Sequence, residues 1–163
     1  MIELIKKVEQ WSEDRGFFEE GSGVTFEVQF LKLYEEFGEL CGSIVKGKDV
    51  KDDIGDNMVV LINLAKLSGL TFTSIMKKVE DRNLGFYEYS EPSAYAHELS
   101  INRYPRIFKD KSEMSFAHSY LILSSLASKM GTSIEECLKI AYDEIKDRKG
   151  KMINGAFIKE GDL

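Results

Sequence analysis

The segment from Val50 to Ser68 constrains the fold more than any other, because Met58, Val59, Val60, Leu61, Ile62, Leu64 and Leu67 spread apolar surface almost all the way round a helix. A helix with one apolar stripe can lie on a surface, whereas one that is apolar all round must be enclosed by other helices. The rest of the chain supplies them. Ile2, Ile5, Val8 and Trp11 recur at three-residue steps in a helix expected over 1–15, and "GFFEEGSG" then breaks the pattern as a loop. From about Thr25 to Val45, Phe26, Phe30, Leu33, Phe37, Leu40 and Ile44 alternate four and three apart, the narrow seam of a bundle helix that "KGKD" ends. Gly69 closes the enclosed helix. Further helices are expected around Phe72 to Arg82, Ala94 to Arg103, Ser115 to Met130 and Ser133 to Arg148, with an irregular Tyr-rich stretch "GFYEYSEPSAY" among them. No segment reads as a strand, and "KGKMINGAFIKEGDL" reads as a glycine-punctuated, partly basic tail. The expected class is all-α: an antiparallel helical bundle, one domain over 1–163.

Composition narrows the function. A net charge of −6 argues against a broad nucleic-acid surface, while leaving room for a nucleotide pocket lined locally by Lys and Arg. No apolar run approaches the roughly 20 residues of a membrane span. The first eleven residues carry acids and amphipathic spacing where a secretory leader would have an apolar core, so a cytoplasmic location is expected. Cys41 and Cys137 fall within helical patterns and read as reduced, mostly buried thiols.

Two stretches resemble each other. "LINLAKLSG" (Leu61 to Gly69) and "LSSLASKMG" (Leu123 to Gly131) share Leu, Leu, Ala and Gly at matching places, 62 residues apart. The same offset sets Glu98 opposite Glu36, Ile101 opposite Glu39 and His118 opposite Asp56, so residues 70–130 read as a second repeat that has lost its acids.

The acids themselves pose the chemical question. On a helical wheel Glu36 and Glu39 share a side with Gln29 and Lys32, beside the buried Leu33 and Leu40. Asp53, Asp56, Val60, Asn63 and Leu67 form another stripe on the next helix. Bringing these helices together antiparallel across "KGKDVK" is expected to aim four carboxylates at one point, an arrangement that costs several kcal/mol without a positive partner. A divalent cation resolves the conflict. Oxygen donors without His or Cys favour Mg²⁺, with Mn²⁺ as a substitute, over zinc, and Mg²⁺ held this way keeps positions open for phosphates. A calcium-binding helix-loop-helix fits less well, because the connection lacks oxygen ligands at alternate positions.

At these residues the sequence resembles the all-α nucleoside triphosphate pyrophosphohydrolases, and among them the MazG-like branch. The pattern EExxE, spacer, ExxD is matched by Glu35-Glu36-Phe37-Gly38-Glu39 and, after thirteen residues, Asp53-Ile54-Gly55-Asp56. "WSEDRG", "QFLKLYEEFGEL", "DDIGDNMVVLINLA" and "AYDEIKDRKGKMINGAFIK" extend the likeness over residues 1–70 and 131–160. There are two departures. Asp53 stands where Glu is usual, and Gly69 to Met130 is inserted where short members run directly into the last helix.

The resemblance implies hydrolysis of a (deoxy)nucleoside triphosphate to the monophosphate and pyrophosphate. It implies Glu36, Glu39, Asp53 and Asp56 as Mg²⁺ ligands and Glu35 as the residue that orients or deprotonates the attacking water. Lys32, Lys146, Arg148, Lys149 and Lys151 are candidates for the phosphates, Asn63 for the sugar or base, and Gln29 as a further substrate contact. Trp11, Phe17 and Phe18 are available to stack a base, with Trp11 favoured as core. No nucleic-acid polymer or membrane partner is expected; a homodimer is. The alternatives are a dUTP-specific or phosphoribosyl-nucleotide pyrophosphatase on the same fold, and a catalytically silent helical interaction module.

Overall fold

A computed structural model describes residues 1–162, and the protein is mostly helical. Among the described residues eight α-helices run in chain order: α1 (Ile2–Asp14), α2 (Phe26–Lys46), α3 (Lys51–Leu67), α4 (Phe72–Asp81), α5 (Pro92–Glu98), α6 (Tyr104–Asp110), α7 (Glu113–Lys129) and α8 (Ile134–Ile145). A hairpin of β1 (Gly150–Ile153) and β2 (Ala156–Lys159) follows.

Local chemistry sets the helix ends. Thr25, Thr71, Ser112 and Ser133 each accept, through the side chain, a backbone N–H three residues on, which satisfies a donor the first turn leaves open. Gly47 terminates α2 in the left-handed conformation, with Lys48 N–H donating back to Ser43 O at 2.9 Å. The chain reverses there, so α3 runs back along α2.

The enclosed helix is α3, as its all-round apolar surface requires. It packs against α1, α2, α4, α7 and α8 of its own chain, and every residue from Asn57 to Ala65 is buried. Its closest neighbour is α8: a Cβ placed on Gly55 would lie 2.3 Å from Cys137 O and 2.8 Å from Ala141 Cβ. Cys137 is buried, Cys41 half-buried, and both are free thiols. No single helix is long and apolar enough to cross a membrane among the described residues.

Three readings of the sequence are corrected. The tail expected to lack strands forms the β1–β2 hairpin, with Gly150 opposite Lys159 and Ile153 opposite Ala156. Asn154 and Gly155, at φ of 51° and 82°, make the tight turn whose twist suits paired strands. Its sheet face lies on Trp11, whose ring meets the Phe157 ring edge-on at 5.7 Å. The helix expected over Ala94 to Arg103 begins earlier, inside the Tyr-rich stretch at Pro92, and opens after Glu98 into a π-turn over Leu99–Arg103. Pro105 has no N–H to return to Ile101 O, and the backbone widens into a loop in which Tyr104 N–H reaches Leu99 O. The third correction is α6 itself, which "YPRIFKD" forms although no helix was expected there.

The 62-residue offset recurs in the architecture. Lys51 and Glu113 begin α3 and α7, Leu67 and Lys129 end them, and Phe72 and Ile134 begin α4 and α8. Gly69 and Gly131 adopt left-handed φ of 74° and 78° before the Thr71 and Ser133 caps. The packing is crossed: α3 lies on α8, and α7 lies on α4.

Candidate functional site

Glu36 on α2 and Asp56 on α3 lie near enough that the Glu36 charge acts on Asp56, where α8 closes on α3. Glu36 is buried, with its side chain only 11% exposed. Its partner is Lys32, one turn back, whose ammonium lies 2.6 Å from Glu36 Oε1 and 3.0 Å from Glu35 Oε2. Burial alone would lower the Lys32 pKa, but its hydrogen bonds to Glu36 and Glu35 more than offset this and hold it above the usual value.

Asp56 has no such partner. Burial, then the charges of Glu36 and Asp52, push its carboxyl up to about 7, with Arg148 partly opposing the shift and Glu144 adding to it. Asp52 is raised as well, first by burial, then by Glu144 and Asp53. One Asp52 oxygen, Oδ1, is buried without a hydrogen-bond partner. Among the described residues Asp52, Asp53 and Asp56 form no ion pair, while Arg148 pairs with Glu144 at 3.2 Å. The group is therefore Glu36, Asp52, Asp56 and Glu144, edged by Lys32 and Arg148. Sequence reasoning missed Asp52 and Glu144. Asp52 precedes the motif and Glu144 lies on α8, so only the close approach of α8 to Gly55 brings them in.

The expected convergence of four carboxylates resolves into two pairs along the α2–α3 groove. Glu39 and Asp53, each one turn nearer the chain reversal than Glu36 and Asp56, line an open cavity of about 400 Å³ with Glu35, Lys46 and Lys48. Among the described residues no three His, Cys, Asp or Glu side chains close into a ready-made metal-binding group. The chemistry of the donors nevertheless fits a hard cation: all are carboxylates, one oxygen lacks a partner, and Asp56 is strained towards neutrality where a positive charge would relieve it.

The remaining candidates are placed as follows. Gln29 is buried, one turn before Lys32. Asn63 is buried and accepts from Ser12 Oγ at 2.7 Å, which ties α1 to α3 within the core. Lys146 is exposed and bonded to Asp143 at 2.8 Å, and Lys149 and Lys151 are exposed beside and on β1. Trp11 is core: its Nε1 donates to Ile145 O at 2.8 Å and Arg15 stacks on its ring at 4.5 Å. Phe17 is buried against Trp11, and Phe18 is half-buried under the Lys66 ammonium.

The fold and this groove define a helical protein with a partly buried carboxylate group where the two helices of a reversal meet α8. The chain is 36% identical over 136 residues to the "Uncharacterized 18.2 kDa protein in rep-hol intergenic region" of Haemophilus phage HP1 (strain HP1c1), covering 82% of this chain and 75% of the relative. It belongs to that phage protein's family. No family model matches the chain, and no solved structure matches it.

Proposed function

We propose that the protein is a Mg²⁺-dependent nucleoside triphosphate pyrophosphohydrolase with a bundle of the MazG-like type. The observation that carries the reading is the acid group of buried Glu36, half-buried Asp52 and Asp56, and Glu144 at the rim, in which an Asp52 oxygen lacks a partner and Asp56 is pushed up to about 7. Structural acids seldom remain in such surroundings, because burial without compensation costs stability; perturbed carboxylates in a groove mark functional sites more often than others.

Glu36 and Asp56, with Asp52 and Glu144, would hold Mg²⁺, and Glu39 and Asp53 extend the donor set along the groove. When bound, Mg²⁺ would neutralise charge on the triphosphate. The chain's own residues do the rest. Glu35, exposed at the cavity edge, orients water and accepts its proton as the α–β anhydride bond breaks, releasing nucleoside monophosphate and pyrophosphate. Lys32 holds Glu35 and Glu36 in register. Arg148, tethered by Glu144 at the rim, offers a fork to the phosphates, and Lys46 and Lys48 line the cavity of Glu39 and Asp53. We assign the active form as a homodimer, although α3 is already enclosed within one chain.

A panel of ribo- and deoxynucleoside triphosphates, dUTP and a phosphoribosyl nucleotide, assayed with Mg²⁺ and with chelator, tests this. Pyrophosphate should appear first, should carry the labelled γ-phosphate, and should vanish with Glu39→Gln or Asp56→Asn. Orthophosphate as first product, or no turnover of any member, would overturn the reading and favour a silent interaction module.

A further inference from the structure

The half of the chain without the acid motif holds a cavity of about 320 Å³, lined by Arg103, Arg106, Asp110, Ser112, Met114, Ser115 and His118. It shares no lining residue with the acid group or with the cavity of Glu35, Glu39 and Asp53. Its place in the fold is telling. Met114, Ser115 and His118 on α7 lie 62 residues after Asp52, Asp53 and Asp56 on α3, the offset that relates the two helices end to end. Where α3 turns three carboxylates to its groove, α7 turns a thioether, a hydroxyl and an imidazole to this one.

The cavity is lined by three nitrogen-bearing side chains, Arg103, Arg106 and His118. Arg103 is held by Glu98 at 2.5 Å and stacks on Tyr87, yet its Nε is buried without a hydrogen-bond partner. Among the described residues Arg106 has Asp110 as its one ion-pair partner, at 3.7 Å, too long for a hydrogen bond. His118 Nδ1 is 2.6 Å from Tyr87 Oη. When Nδ1 accepts that bond, the ring carries its proton on Nε2 and can donate it. Burial, then the charges of Arg103 and Arg106, draw the His118 pKa down, so both guanidinium groups bear on the same ring.

The one carboxylate in the lining is already occupied. Asp110 accepts from Ser112 N–H at 2.9 Å and Ser115 Oγ at 2.7 Å, and these bonds outweigh its burial and hold its pKa below the usual value. The start of the 17-residue α7 adds the positive end of a helix dipole. The volume, at the small end of the roughly 300–1,000 Å³ usual for ligand pockets, has room for phosphate or pyrophosphate.

We propose that this cavity binds a small phosphate anion, inorganic phosphate or pyrophosphate, between Arg103, Arg106 and His118. Two guanidinium forks and an imidazole match the several acceptor oxygens of a phosphate better than the two of a carboxylate. The site is independent of the hydrolase reading: it stands whether or not the acid groove turns over nucleotides.

The test is calorimetric titration of the full chain with sodium pyrophosphate, and separately with phosphate, in EDTA so that no metal bridges the anion to the acid groove. Imidazole NMR spectra are recorded alongside. One site per chain is expected, with the His118 signal moving and that of His97 unmoved. Arg106→Gln, at an exposed position, should weaken binding about tenfold or more, and Asp56→Asn should leave it unchanged. Preference for pyrophosphate over phosphate would identify the former as the ligand, and the reverse the latter. The absence of binding by either, an unmoved His118 signal, or Arg106→Gln binding like the parent would overturn the proposal, whereas loss with Asp56→Asn would place the anion in the acid groove instead.

Discussion

Tyr104 Oη donates to Asn57 Oδ1 at 2.9 Å with both residues fully buried, which joins the start of α6 to the helix that carries Asp53 and Asp56. Asn57 also donates to Asp53 O at 2.9 Å. The Tyr104 ring packs edge-on against Phe37 and Tyr34 of α2, at 5.5 and 6.3 Å, so the second half of the chain braces the acid groove from behind.

Tyr104→Phe keeps that packing and removes the hydroxyl, which leaves Asn57 Oδ1 buried without a donor. The expected loss is about 1–3 kcal/mol of unfolding free energy. Urea denaturation measures it, and an unchanged midpoint would show that the bond contributes nothing.

Asp56 should make stability depend on pH in a stated direction. Its carboxyl titrates at about 7 when folded, against the ordinary 3.8, so between those values the folded chain binds more protons than the unfolded one. Its contribution to stability therefore falls as pH rises from about 4 to about 7, and the full cost stands above 7. Asp56→Asn should stabilise the metal-free protein by on the order of 3–4 kcal/mol at pH 8 and by little near pH 4. A difference between variant and parent that does not change with pH contradicts this assignment.

Gly55→Ala improves helix propensity by up to about 1 kcal/mol, yet its methyl group would enter the Cys137 carbonyl. Backbone on backbone leaves no side chain to swing aside, so α3 and α8 must part. A net destabilisation of about 1–3 kcal/mol is expected. Because Glu144 rides on α8, the Asp56 titration should also shift; a stabilised Gly55→Ala variant would show that the helices tolerate the separation.

Gly155 turns the hairpin at φ 82° and lies against the 21–25 loop, where a Cβ would be 2.2 Å from Gly23 O. Gly155→Ala should free the hairpin, remove Phe157 from the edge of the single Trp11, and move tryptophan emission to longer wavelength. Far-ultraviolet circular dichroism should stay helical. An emission spectrum matching the parent's would mean that the hairpin holds its place despite the strain.

The sequence by itself determined that the protein is helical, where α1, α2, α3, α4, α7 and α8 run within a few residues, and that α3 must be enclosed. These follow from local periodicity and caps, which act over a single turn. It missed α6 and misread the two segments whose form depends on particular backbone atoms: the π-turn, set by the missing N–H of Pro105, and the hairpin, whose Asn154-Gly155 signal stood in the sequence but whose strands are held by lying on Trp11 and the 21–25 loop. The candidate site divides in the same way. Glu36 beside the apolar seam was legible, because helix spacing alone sets it there. The separation of Glu39 and Asp53 from Glu36 and Asp56, the entry of Asp52 and Glu144, and the capture of Asn63 by Ser12 were decided by the tertiary structure. The reason is physical: which carboxylates share a field depends on how closely two helices approach, and that distance is set at Gly55 by the absence of a side chain rather than by any charge.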